Sequence, residues 1–228
     1  MRGYDNPRFN HEMLLDLQFC EGTGSVTRDW AKAHHADPTI TLAAWFNLAN
    51  DLTYLIFLLT GPDFITILAA DSVDLNFTSG DFSGTAWFYP TASGNRQVFN
   101  KGTTTTGWDF ANYGGAGVAM MRFGTFQAGP TNQVTNGCDI TLNVWHFVGF
   151  TRDGATARIY EAGRDVTTSY GTHVNPDSAA ASNFYIGRTD TGAGMLDGYL
   201  WRPRIWGRCL TAWEMLAIYE YERHLFGV

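Results

Sequence analysis

Short apolar stretches recur along this chain between clusters of turn-forming residues, and this spacing restricts the fold more than any other feature. Strand-like segments fall at residues 13–19, 52–59, 64–69, 83–89, 97–101, 108–113, 118–126, 145–152, 155–161, 184–188 and 196–206. Turn signals separate many of them, among them Thr151-Arg152-Asp153-Gly154, Glu161-Ala162-Gly163-Arg164 and Thr191-Gly192-Ala193-Gly194. Many short strands joined by Gly-containing turns read as an all-β sandwich or barrel. The 25 glycines and 15% aromatic residues fit that reading, since aromatics favour strands and glycine favours tight turns.

Alternation along the segments predicts which are covered. In residues 145–152, Trp145, Phe147, Gly149 and Thr151 share one face, and His146, Val148, Phe150 and Arg152 share the other. Both faces carry bulk, so this strand is expected to be covered on both sides. The chain then returns through Asp153-Gly154 as a hairpin. The last segment has a different period: Leu210, Trp213, Leu216, Ala217 and Tyr219/Tyr221 recur at mostly three- and four-residue spacing. Thr211 and Glu214 form a capping box at its start, which predicts one short amphipathic helix. Residues 30–51 are the hardest to place; a crossing loop with a short helical turn at 43–47 is the expectation. Residues 52–70 are apolar, but Gly61, Pro62 and Asp63 interrupt them, and neither arm spans a bilayer as a helix. Two strands around a turn are expected instead. No linker or internal repeat is visible, so a single domain over 13–228 is expected. It is preceded by an extended arm over 1–12, where Asp5-Asn6-Pro7 disfavours helix.

With 15 basic and 22 acidic residues the net charge is −7, and no Lys/Arg run occurs. That excludes the electrostatic footprint of a nucleic-acid binder and argues against an anionic membrane surface. Cys20, Cys138 and Cys209 are odd in number and widely spaced, so buried free thiols are expected rather than a disulfide or zinc motif. The opening segment MRGYDNPRFNHEMLLDLQF lacks an apolar core and a small-residue cleavage site, so no secretory signal is expected.

Four stretches in order resemble the concanavalin A-like lectin/glucanase superfamily in its laminin-G-like form. They are PDFITILAADSVDLNFTSGDFSGTAWFYP, VFNKGTTTTGWDFANY, LNVWHFVGFTRDGATARIYEAGRDV and FYIGRTDTGAGMLDGYLWRPRIWGRCLTAWEMLAIYE. The resemblance covers roughly the C-terminal three-quarters of the chain. It implies two antiparallel sheets packed face to face as a jelly roll, closed by a short C-terminal helix. It also implies that residues 195–206 form the strand beside the first one, with Trp201, Trp206 and Trp213 serving mostly in packing. One departure stands out. Where the family has an acidic pair and Val, this chain has Trp201-Arg202-Pro203. Pro203 removes a ladder donor, which places an edge or a bulge there and presents Trp201 and Arg202 to a partner.

The family's glycosidases would need two carboxylates about 5 Å apart. On a strand of this fold they come from a Glu-x-Asp-x-(x)-Glu string, and no such string occurs here. GxSxG is absent as well. A non-catalytic protein is therefore expected. His34-His35-Ala36-Asp37 reads as a polar loop, because adjacent side chains rarely converge on one ion. Laminin-G-like domains often bind Ca²⁺ through loop Asp and carbonyl oxygens. Asp81, Asp139 and Asp190 are loop acids here but form no dense cluster, so no cofactor is expected, with Ca²⁺ as the open alternative. Asn112, Tyr113, His173 and Asp190 are the loop-placed candidates for contact with a glycan or partner. The function expected is a non-catalytic surface module of a phage virion, decorating a capsid or associated with a tail. Such a protein meets other virion proteins and glycans, is bound in an assembly, and reaches the outside by lysis. The alternatives are a carbohydrate-binding lectin exported by another route and an atypical glycoside hydrolase.

Overall fold

The computed structural model describes residues 7–31, 35–48, 52–114, 119–128 and 133–228. A short helix α1 (Pro7–Asn10) leads into strands β1 (Met13–Asp16), β2 (Thr39–Thr41), β3 (Ala44–Asn47), β4 (Thr53–Phe57) and β5 (Phe64–Ile67). Then follow β6 (Phe82–Pro90), β7 (Arg96–Gly102), β8 (Gly107–Tyr113), β9 (Ala119–Phe126) and β10 (Gln133–Ile140). The last strands are β11 (His146–Asp153), β12 (Thr156–Glu161), β13 (Arg164–Asp165), β14 (Phe184–Ile186) and β15 (Gly198–Trp206), before helix α2 (Ala212–Glu222). They build two antiparallel sheets. The eight-stranded sheet runs β13-β12-β11-β6-β15-β4-β3, with β1 also paired to β15. The seven-stranded sheet runs β10-β9-β8-β7-β14-β5-β2. The expected jelly-roll sandwich is present, and the expected pairing of the first strand with 195–206 is present in β1 and β15.

Alternation explains the two buried layers. Between the sheets, Phe82 and Phe150 from one meet Trp108, Phe110 and Phe123 from the other; Phe123 stacks on Phe150 at 4.4 Å. Gly84 is part of this packing. A Cβ on Gly84 would lie 2.6 Å from the Phe150 ring, so the aromatic fills the space a side chain would take. A second layer covers the outer face of the eight-stranded sheet. There Trp87 stacks against Phe226 (4.1 Å) and Tyr219 (5.9 Å), and Phe147 packs on Tyr219. This accounts for the bulk on both faces of β11. Helix α2 begins as its sequence predicts: Thr211 Oγ1 accepts from the Glu214 amide, and the Glu214 carboxylate accepts from the Thr211 amide.

The bulge expected at Pro203 exists: the β15–β6 register shifts between Trp201 and Arg204, and Arg202 takes φ of 48°. The presentation of Trp201 and Arg202 to a partner is corrected. β15 is an inner strand between β6 and β4/β1, and both side chains are buried. The bulge turns Arg202 inward, where it donates to both Asp16 oxygens (3.1 and 3.2 Å) and to Glu222 (3.3 Å). Arg204 donates twice to Glu222 (3.0 and 2.8 Å), and Trp87 Nε1 donates to it at 2.8 Å. Trp201 and Trp206 are packed as expected, but Trp213 is 59% exposed and leans on Phe9 at 6.2 Å.

Other expectations are corrected. The helical turn at 43–47 is strand β3, with β2 just before it, one at the edge of each sheet. Leu42, at φ of 58°, turns the chain from one sheet to the other, a reversal that no local propensity in these residues signals. β10 reads as loop because it is polar and holds Gly137; its bulge between Asn136 and Asp139 packs Gly137 against Ile159, where a Cβ would sit 2.6 Å from Ile159 Cγ2. Asp139 is thus a strand residue. The turn at Gly61-Pro62-Asp63 carries the chain between sheets, and Asp63 accepts from the Leu58 amide at 2.9 Å. Of the arm over 1–12, residues 1–6, with Asp5-Asn6, lie outside the described residues; within 7–12, Phe9 is buried and its carbonyl accepts from Trp206 Nε1 at 2.6 Å. The three thiols are free, but Cys20 is exposed and Cys138 and Cys209 half-buried: Cys20 follows β1 in a loop, Cys209 lies between β15 and α2, and Cys138 is on the bulged β10, none in the aromatic core. No helix among the described residues is long and apolar enough to cross a membrane.

Candidate functional site

The outer face of the seven-stranded sheet carries a row of side chains in direct register. Thr66 on β5 faces Tyr185 on β14, Tyr185 faces Asn100 on β7, Asn100 faces Asp109 on β8, and Asp109 faces Gly124 on β9. Their strand neighbours, including Ile65, Phe184, Phe99, Phe110 and Phe123, point into the core, so strict alternation puts the row on the opposite side.

Asp109 is the centre. One carboxylate oxygen accepts from Arg122 (3.0 Å) and Gln97 Nε2 (3.3 Å). Burial pushes this carboxyl above the ordinary range, against the pull of the Arg122 charge, Gln97 and the Gly124 amide. Gly124 makes the arrangement fit, since a Cβ there would lie 2.7 Å from Asp109 Oδ1. Several polar atoms of this face are buried with no hydrogen-bond partner: Asp109 Oδ1, Gln97 Oε1, Thr66 Oγ1, and the Nε atoms of Arg122 and Arg188. An unmet buried group of this kind costs roughly 1–3 kcal/mol, which a polar partner reaching it would offset. The face also offers rings. The Arg122 guanidinium lies 4.6 Å from the Tyr113 ring, and Arg188 lies over Phe64 and Tyr185.

Of the six residues singled out from sequence, two, Tyr113 and Asp190, lie on or beside the row. Tyr113 is exposed at the end of β8. Asp190 donates its amide to Asn100 Oδ1 (3.0 Å), and its carboxylate accepts from Ser182 (3.3 Å). Asn112 is a buried strand residue rather than a loop residue. Its amide donates to the Ala92 carbonyl at 3.1 Å, while Oδ1 has no partner. His173 is not a surface contact. It is buried against Phe123, with Nδ1 and Nε2 bonded to the Thr125 and Thr135 hydroxyls (2.9 and 2.8 Å), and burial plus the Arg152 charge holds it down at about 4. Trp201 and Arg202 belong to the interior of the other sheet. Sequence reasoning missed Asp109, Gln97, Arg122 and Arg188. The signal was present at Asp109: in Trp108-Asp109-Phe110, a lone charge alternates with two core aromatics.

Two other polar clusters lie apart from the row's centre. His35 is buried, with Nδ1 2.7 Å from Asp29 and Nε2 2.8 Å from Asp74; burial alone would lower it, but these two carboxylates raise it to about 9. His34 of the same motif lies outside the described residues. Lys101 is buried and donates to Ser72 (2.8 Å) and the Ser182 carbonyl (2.7 Å); burial lowers it to about 8 against the pull of Asp74 and Asp190. Among the described residues no group of three or more His, Cys, Asp or Glu is placed to hold a metal ion.

The family model Laminin_G_3, of the concanavalin A-like lectin/glucanases superfamily, matches residues 66–215. The chain belongs to this family. The matched span of this Laminin_G_3 member contains the whole row from Thr66 to Tyr185. Solved structures share the fold. The binding domain of botulinum neurotoxin serotype C1 matches with a TM-score of 0.69 at 11% identity, covering 93% of this chain and 52% of that one. The binding domain of botulinum neurotoxin DC in complex with rat synaptotagmin II gives 0.71 at 12% identity, covering 93% and 52%. The same toxin's binding domain in complex with SialylT gives 0.63 at 11% identity, covering 93% and 52%. The Laminin_G_3 chain therefore spans about half the length of the solved chains it matches. No match is found among curated proteins.

Proposed function

We propose that this chain is a non-catalytic carbohydrate-recognition module whose binding surface is the outer face of the seven-stranded sheet. The observation that carries this reading is the set of unmet acceptors on that face, Asp109 Oδ1 and Gln97 Oε1, beside the unmet Arg122 Nε. Neighbouring sugar hydroxyls would donate to the two acceptors and accept from the guanidinium, with Tyr113 offering apolar contact. Asp109 shares its hydrogen bonds with Arg122 and Gln97 and with no second carboxylate among the described residues, an arrangement suited to holding a hydroxyl. Complexes with SialylT and with rat synaptotagmin II are properties of the toxin domain above, and they lend support through the shared fold only.

A glycan array followed by calorimetric titration tests the reading. Saturable binding is expected, weakened about tenfold or more in Asp109→Asn, which keeps shape but makes one acceptor a donor. Unchanged affinity in that variant, or no glycan bound at all, would overturn it.

The finer setting we infer is display on the surface of a phage virion, as a decoration or tail-associated module that contacts neighbouring assembly proteins. The net charge of −7 and the outward Trp213, Leu216 and Tyr221 of α2 support protein partners rather than nucleic acid. Density-gradient sedimentation of native material, read by mass spectrometry, decides it: co-migration with particles is expected, and a free light fraction discards the virion setting.

A further inference from the structure

The geometry points to Arg188 as the residue that reads an acidic group on the ligand, so that the face takes a carboxylated sugar. This rests on the carbohydrate reading above and adds a ligand class to it.

The Arg188 guanidinium carbon lies 4.1 Å from the Phe64 ring centre and 4.4 Å from that of Tyr185, and the two rings meet edge-on at 5.8 Å. Two rings fix the cation in place, so little rotamer freedom is left to lose on binding. Among the described residues this guanidinium has neither a carboxylate within ion-pair distance nor a hydrogen-bond partner. Arg122, Arg158, Arg202, Arg204, Arg208 and Arg223 are each paired with Asp or Glu, whereas Arg188, like Arg28, Arg96, Arg152 and Arg164, shows no ion pair among the described residues, and of these it alone is held between two rings. In a chain with 22 acidic residues against 15 basic ones, an immobilised arginine without an internal acid is placed for an anion from outside. Asp190, two residues on, does not fill the role: its carboxylate accepts from Ser182 and makes no ion pair with Arg188.

Arg188 is half-buried, and its loop is held in line with the row. The loop that carries it is closed on itself by Thr189–Ala193 and Gly192–Thr189 backbone bonds (2.8 and 3.0 Å) and tied to β7 by the Gln97 amide on the Gly194 carbonyl (2.8 Å). Gly192, at φ of 81°, has no side chain; a Cβ there would stand 3.9 Å from Arg188 Nη1. Tyr185, under the guanidinium, is in register with Asn100 and through it with Asp109. Hydroxyls at Asp109 and Gln97 and a carboxylate at Arg188 thus fall along one line of the sheet. A guanidinium fork suits a planar carboxylate bidentately, better than a tetrahedral sulfate ester.

The test starts from a glycan array holding carboxylated, sulfated and neutral glycans. The best carboxylated binder is then titrated beside its methyl ester, against the wild-type chain, Arg188→Gln, Arg188→Lys and Asp109→Asn, with thermal unfolding of each as the control for folding. The wild type is expected to prefer the acid over the ester by roughly tenfold or more, with affinity for the acid falling as salt rises. Arg188→Gln is expected to abolish that preference yet still bind the ester, Arg188→Lys to keep part of it, and Asp109→Asn to weaken both ligands. If the strongest ligands are neutral or sulfated, or if folded Arg188→Gln still prefers the acid, the acid-reading role is overturned while carbohydrate binding stands. No glycan bound overturns both.

Discussion

Glu222→Gln is expected to destabilise the fold by about 3–5 kcal/mol, read as a lowered denaturant midpoint at unchanged slope. Glu222 is 1% exposed and accepts from Arg202, Arg204 and Trp87. With Asp16 it balances two guanidinium charges inside the protein, so removing one carboxylate leaves a buried positive charge uncompensated. The network joins elements far apart in sequence: β1 through Asp16, the β15 bulge through Arg202, and the end of α2 through Glu222. Exposed pairs such as Arg223–Glu220 provide the contrast, since exposed pairs contribute at most about 1 kcal/mol and Glu220→Gln is expected to shift the midpoint little. An Arg204→Gln/Glu222→Gln cycle should return a large coupling; additive effects would show that the two side chains do not act as a unit.

Stability is expected to peak near pH 6.5 and to fall on both sides, because two buried histidines are displaced in opposite directions. His35 is raised from 6.5 to about 9 by Asp29 and Asp74 in spite of burial, so the folded state holds its proton more tightly than the unfolded chain does. Its contribution is fully present below pH 6.5 and is lost as pH rises toward 9, a total of roughly 3 kcal/mol. Lys101, lowered to about 8 by burial, acts with the opposite sign above pH 8, so the His35 effect is best read between 6.5 and 8. His173 is lowered to about 4 by burial and by Arg152, so its contribution is present above pH 6.5 and is lost toward pH 4, again roughly 3 kcal/mol in all. Protonation would make both ring nitrogens donors, and whichever of the Thr125 and Thr135 hydroxyls donates to the unprotonated nitrogen would have to reorient as an acceptor in an apolar setting. Carboxylates held low, Asp29, Asp165 and Glu214, act below their ordinary range and so extend the acid limb to lower pH rather than steepening it between 6.5 and 4. Denaturant unfolding at several pH values in His35→Gln and His173→Gln separates the contributions: the first should flatten the limb above 6.5 and the second should shallow the limb below it. Parallel profiles in wild type and variants would show that neither histidine is responsible.

The sequence by itself determined the sandwich. Period-2 alternation, Gly-rich turns and four family-like stretches in order located most strands of the two sheets, and the Thr211–Glu214 box located the helix start, because these signals are written over neighbouring residues. The tertiary structure alone decided what the face presents. Thr66, Asn100, Asp109 and Tyr185 lie far apart along the chain and become one row only through strand register across β5, β14, β7 and β8. Local reasoning favoured loops as the place for contacts and so passed over a strand charge such as Asp109. Trp201-Arg202-Pro203 failed in the other direction. The bulge was legible from Pro203, but its direction depended on Asp16 and Glu222, which lie 186 and 20 residues away from Arg202 in sequence and meet it only once both sheets and the helix are in place. The edge strands β2 and β3 were illegible for a related reason: their partners, not their own composition, make them strands.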